Sequence, residues 1–171
     1  MVALDATVLG GIAVLVLLSV SAFFSSAEIA VFSLPVEWIE ETVAAGDPRA
    51  GLLGELRGDP HRLLVTLLVG NNLVNVAISS ITTVVLLRHF PEGIAVTVAT
   101  LGAASLVLIF GEILPKSYGL GNAKTWALSV ARPIRLIERL LYPLVAVFDV
   151  LTRRLGEVVG GDQGIEEPYT D

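Results

Sequence analysis

The chain has 171 residues, 54% hydrophobic and only 16% charged, with a net charge of −6 and a mean hydropathy of +0.77. Soluble domains carry roughly 25% charged residues, so water is not its main solvent. The lack of cysteine excludes disulfides, thiolate metal sites and cysteine nucleophiles, and there is no basic face for nucleic acid.

Three segments carry no charge: Ala6 to Ala27, Leu63 to Leu87 and Gly93 to Gly111. As helices rising 1.5 Å per residue, each is long enough to cross ~30 Å of hydrocarbon, which predicts three membrane spans. The first does not read as a cleaved signal peptide. It opens with Asp5, has no Lys or Arg before Arg49 and ends in FFSSAE, whereas such peptides begin basic and end at a small-residue cleavage site.

The first run ends in SAFFSSAE, where Ser21, Ser25 and Glu28 share one stripe of an ideal helix. A carboxylate here is costly, roughly 3 kcal/mol on insertion scales, so a cation is the first partner to expect. Ser19 and Ser26 are expected to bond back to their own helix or a neighbour. For Ser21 and Ser25, ligand and packing roles are both open. The segment Leu34 to Arg62 has helix-like apolar spacing, turn signals at Gly46-Asp47-Pro48 and Gly58-Asp59-Pro60, and too much charge to insert. It predicts a short cytoplasmic helical hairpin, with Trp38 as an interfacial anchor.

The second span carries GNNLVN near its cytoplasmic end. Asn71 and Asn75 lie on one face and Asn72 about 100° from Asn71. Amide oxygens are hard, neutral ligands suited to Mg²⁺, Na⁺ or Ca²⁺, with interhelical hydrogen bonding as the rival reading for each. The third span ends in FGEILPKSYG. Pro115 has no N–H, so the Gly111 carbonyl four residues earlier loses its helical partner. Gly111 also admits close backbone approach, and Glu112 adds negative charge beside it. The spacing predicts a carbonyl and a carboxylate at one point of a broken helix, as in transporter ion sites. Lys116 reads as an anchor of the helix end or a partner of Glu112 or Glu28 in the absence of an ion. Around Gly111 to Gly121 the chain is expected to move.

Beyond the third span, Arg132, Arg135 and Arg139 recur at helical spacing, and Leu140 to Phe148 is too short to cross a bilayer. Pro133 and Pro143 are expected to interrupt or kink this stretch. It predicts a bent interfacial helix with its arginines near anionic lipid headgroups. The tail from 158 to 171 is Gly-rich and acidic and reads as a linker after a membrane domain of residues 1–157. Of the eleven Lys and Arg, three lie between the first two spans, seven lie from Lys116 onward, and Arg88 alone lies between the second and third. The positive-inside rule then places the N-terminus outside and the C-terminus in the cytoplasm. With alternating spans, the serine, asparagine and Gly-Glu clusters meet at one depth. The expected fold is an all-α membrane protein with three transmembrane helices, a hairpin after the first and an amphipathic juxtamembrane belt after the third.

SAFFSSAEIAVFSL, then DPHRLLVTLLVGNNLVN, then LIFGEILPKSYGLGN resemble, in order and spacing, the transmembrane domain of the cyclin M/CorC family of magnesium transporters, over roughly Leu4 to Leu155. LVGNNLVN followed some forty residues on by FGEILPK is the specific part. The resemblance implies a homodimer in the plasma membrane, a cytoplasmic belt of juxtamembrane helices, and Mg²⁺ export driven by inward Na⁺. It also implies one cation site per subunit, to which Ser21, Ser25, Asn71, Asn75, Gly111 and Glu112 correspond. Asn72 and Glu28 are added from geometry and cost. Glu28, Pro115 and Lys116 stand as candidates for a gate or a coupling-ion site.

Family members usually continue into cytosolic nucleotide-binding CBS modules, and this chain stops before them. Oxygen ligands alone do not separate Mg²⁺ from Na⁺, Ca²⁺ or Mn²⁺. A Mg²⁺-sensing or complex-organising protein that does not transport would share the same site. An enzyme is not expected: His61 and His89 are lone histidines and no HExxH-like pair exists.

Overall fold

The computed structural model describes residues 2–159. The part of the acidic tail from 160 onward lies outside the described residues. Those described are mostly helical, with no strand among them. Helix α1 spans Val2–Phe32, α2 Val36–Ala44, α3 Pro48–Arg57 and α4 Pro60–Leu86. Helix α5, Glu92–Leu106, runs through a π-helical turn, Val107–Ile113, into α6, Leu114–Gly121. Helices α7, Ala123–Leu140, and α8, Tyr142–Val159, follow.

Three stretches are long and apolar enough to cross a membrane: Ala6–Phe32, Pro60–Leu86 and Glu92–Gly121. Each outruns the uncharged segment that announced it. Glu28 and Glu112 therefore lie inside helices rather than at their ends, and the third helix continues nine residues past Glu112. The expected break at Pro115 is absent. The helix instead widens into a π turn just before Pro115 and passes on into α6, so the chain runs through the proline by a change of hydrogen-bond register.

The described residues form two compact units, residues 2–26 with 71–118 and residues 27–70 with 119–159. In the first, Ala95, Ala99 and Ala103 are fully buried one turn apart on α5, a small-residue stripe of the kind that lets membrane helices approach closely. Gly10 of α1 does the same against α4, since a Cβ there would overlap Val85 Cγ2. The outward surface is apolar: Leu9, Leu15, Val76 and Leu101 are all more than half exposed. Such a surface suits hydrocarbon as solvent.

The second unit begins with a turn device used twice. After α2, Gly46 takes φ +90°, Asp47 caps α3 by accepting from the Arg49 N–H at 2.8 Å, and Pro48 fills the first helical position. Asp59 repeats this for α4, accepting from the Arg62 N–H at 3.1 Å, with Pro60 next. Asp or Ser at the cap and Pro just inside are favoured because the first N–H groups lack helical partners. Helix α3 packs on α2 and α7. Ala127, Val130, Ala131 and Ile134 form the buried stripe of α7, which meets Leu53 and Leu56 in one core with Ile39. The ring of Trp38 lies under Lys124, 5.6 Å from Nζ.

The expected single bent helix after the third span is two helices. The break falls at Leu141, just before Pro143, whereas Pro133 stays inside α7 without ending it. Proline is at home in a helix's first turn, so Pro143 starts α8 instead of kinking α7. Charged side chains cross-link this unit. Arg135 reaches Glu55 at 2.5 Å and Glu138 at 3.2 Å, and Arg62 Nε lies 2.9 Å from Glu138. His61 Nε2 lies 3.1 Å from Thr152 Oγ1 and 3.4 Å from Asp149. Arg57 stacks on Phe32 at 5.1 Å, and burial pushes its guanidinium down from the ordinary value.

Candidate functional site

Ser21, Ser25, Asn71, Asn75, Gly111 and Glu112 all belong to the first unit, and the fold brings four of them into direct register. Ser21, fully buried, directs its hydroxyl at Asn71 Oδ1, 3.0 Å away, and at Asn75 Oδ1, 2.8 Å away. A hydroxyl has one proton. Two amide oxygens therefore compete for it, and three oxygens face one another with less hydrogen than they can accept. The Asn75 amide is oriented from its other side, because Nδ2 donates to Glu112 Oε1 at 3.4 Å. That long bond places the carboxylate at the edge of the cluster.

Gly111 forms the floor. A Cβ on it would stand 2.7 Å from Ser21 Oγ and 3.4 Å from Ser21 Cβ, so no larger residue fits without moving the serine. The π turn explains the local chemistry. Leu114 N–H donates to the Ile109 carbonyl, five residues back. Pro115 has no N–H to give, so it bonds neither the Phe110 carbonyl, its partner in the π register, nor that of Gly111, its partner in the α register. Carbonyls at such a place need another electropositive group, and π turns recur where helices carry function.

Ser25 adds the sharpest observation. It is fully buried, and its Oγ has no hydrogen-bond partner among the described residues. Leaving a buried hydroxyl unsatisfied costs about 1–3 kcal/mol, so the position points to a ligand. The other serines of the run behave differently: Ser19 Oγ donates to the Leu15 carbonyl and Ser26 Oγ to that of Phe23. Asn72 is exposed on another face of α4. Glu28 is half-buried and belongs to the second unit. Lys116 is half-buried, and both it and Glu28 engage partners.

Among the described residues, no three His, Cys, Asp or Glu side chains converge. The donor set is hydroxyl, amide, carbonyl and a single carboxylate, all hard oxygen, which suits Mg²⁺, Ca²⁺ or Na⁺ and not thiophilic metals. The sequence reading named these residues but not the π turn. Its only trace was Pro115 four residues after Gly111 in a helix with no other terminator.

These features define a helical membrane protein with an oxygen-rich polar cluster between its spans. The chain belongs to the family of the cyclin M transmembrane N-terminal domain, whose model matches residues 12–171. It is 35% identical over 159 residues to a chloroplastic DUF21 domain-containing protein of Arabidopsis thaliana, covering 93% of this chain and 24% of the relative. It is 30% identical over 141 residues to the UPF0053 inner membrane protein YfjD of Escherichia coli K12, covering 82% of this chain and 33% of the relative. A UPF0053 protein of Haemophilus influenzae is 30% identical over 149 residues, with 87% and 35% covered. The chain thus spans about a quarter to a third of these relatives' length.

Proposed function

We propose that this domain binds a divalent cation, Mg²⁺ foremost, within its spans and carries it across the membrane, with Na⁺ as the coupling ion. The observation that supports it best is the proton-poor oxygen cluster: Ser21 faced by two amide oxygens beside the unpartnered Ser25 hydroxyl. Protein groups alone leave this cluster under-satisfied. A cation would turn each leftover lone pair into a ligand bond.

Glu112 supplies one negative charge and so balances half that of Mg²⁺. The ion would keep several waters, as Mg²⁺ does because it dehydrates reluctantly. Its presence would in turn offset the few kcal/mol that a carboxylate costs inside a bilayer. Neutral oxygens hold the ion without trapping it, which release on the far side requires. With most basic residues after Lys116, the positive-inside rule favours a cytoplasmic C-terminus. The family likeness supports a homodimer, a plasma-membrane location and outward Mg²⁺ movement.

The test is Mg²⁺ flux into liposomes holding the purified protein, with and without a Na⁺ gradient. Flux that depends on the gradient and falls at least tenfold in Glu112→Gln is expected. Mg²⁺ binding without any flux would instead favour a sensor.

A further inference from the structure

The second unit holds a cavity of about 400 Å³ lined by Arg62, Arg135, Glu138, Arg139, Tyr142 and Pro143. We propose that it binds the phosphate group of an anionic phospholipid, a site separate from the cation cluster and independent of its role.

Three guanidinium groups face one carboxylate there, leaving a net positive wall. Glu138 uses both oxygens, Oε1 at 2.9 Å from Arg62 Nε and Oε2 at 3.2 Å from Arg135 Nη1. Arg135 is held from the other side by Glu55 at 2.5 Å, and Arg62 lies on the Tyr142 ring at 5.1 Å. Two of the three forks are thus fixed before any ligand arrives. Arg62 still lacks full satisfaction, because its buried Nε, though close to Glu138, has no acceptor in hydrogen-bond alignment. Arg139 is exposed and has no carboxylate partner among the described residues. Planar guanidinium forks match phosphate geometry better than any other side chain, and a phosphate would satisfy the donors that Glu138 cannot.

The surroundings favour a lipid source over a soluble one. Leu136 and Leu140, beside Arg139 in sequence, are 59% and 69% exposed, and Leu144 and Val147, just past Pro143, are 38% and 63% exposed. Acyl chains would cover these while the headgroup entered the cavity, the arrangement of an interfacial amphipathic helix. Sequence spacing had suggested Arg132, Arg135 and Arg139 as residues near anionic headgroups. Here Arg132 is exposed outside the cavity, and Arg62 and Tyr142 take its place.

The experiment measures retention of phosphatidylglycerol against phosphatidylcholine by the purified chain in native mass spectrometry, for wild type, Arg139→Ala and Arg132→Ala. Both substitutions fall on exposed positions, so folding is not threatened. Preference for phosphatidylglycerol should fall roughly five- to tenfold in Arg139→Ala and stay within twofold of wild type in Arg132→Ala. Millimolar inorganic phosphate should not displace the lipid. No lipid preference, equal losses in the two variants, or displacement by inorganic phosphate would overturn the proposal.

Discussion

Ser21 and Ser25 sit one turn apart on the same buried face, yet among the described residues the first has two oxygen partners and the second none. That difference sets opposite expectations. Ser25→Ala removes an unsatisfied hydroxyl, so the ion-free protein should melt no earlier than wild type, while Mg²⁺ affinity drops about tenfold; melting curves with and without Mg²⁺ check both arms. Loss of stability without Mg²⁺ would show that the hydroxyl has a structural partner. Gly111→Ala acts by volume. Its Cβ would enter the space of Ser21 Oγ, so about 1–3 kcal/mol of destabilisation is expected, together with weaker Mg²⁺ binding because the shifted serine no longer faces both amides. Denaturant titration and Mg²⁺ titration of one sample separate the two effects.

At the scale of elements, the π turn is the third helix's answer to Pro115. Restoring an N–H with Pro115→Ala should let the chain return toward ordinary α register. The Gly111 carbonyl would then gain a helical partner. The expected outcome is an unchanged or higher melting temperature with reduced Mg²⁺ affinity; a rise in affinity would mean that the turn hinders binding. The cap of α3 is a second case. Asp47 is held down to about 2 from an ordinary 3.8, first by the Arg49 guanidinium and then by the Arg49 N–H. A depressed carboxylate contributes fully above its unfolded value and loses that contribution as pH falls through about 2. Protection against amide exchange at the start of α3, taken relative to the intrinsic rate at each pH, should therefore hold at pH 4, fall toward pH 2, and lose that dependence in Asp47→Asn. High salt should reduce the effect, since the pair is open to solvent.

For the whole molecule, hydropathy made the three spans legible, because a bilayer demands long apolar helices and little else produces them. The G-D-P turns were equally readable, resting on local rules of caps, whereas the buried stripe of α7, Ala127, Val130, Ala131 and Ile134, emerges only in the fold. The candidate ligand residues could be singled out because polar groups are costly in hydrocarbon, so Asn71, Asn75 and Glu112 stood out. What stayed hidden depends on register and three-dimensional fit. The π turn, the shared acceptor geometry at Ser21 and the orphaned Ser25 come from how helices meet, which spacing along one helix does not encode. The same holds for Arg135, whose spacing pointed to lipid headgroups and whose carboxylate partners Glu55 and Glu138 only the fold brings near.

That the cluster of Ser21, Ser25, Asn71, Asn75, Gly111 and Glu112 holds a divalent cation is tested most directly by titrating Mg²⁺ into the purified protein, wild type beside Asn75→Ala and Glu112→Gln. Saturable binding that weakens at least tenfold in each variant, with melting in the absence of Mg²⁺ little changed, is the expected result. Affinity unchanged in both variants would contradict it.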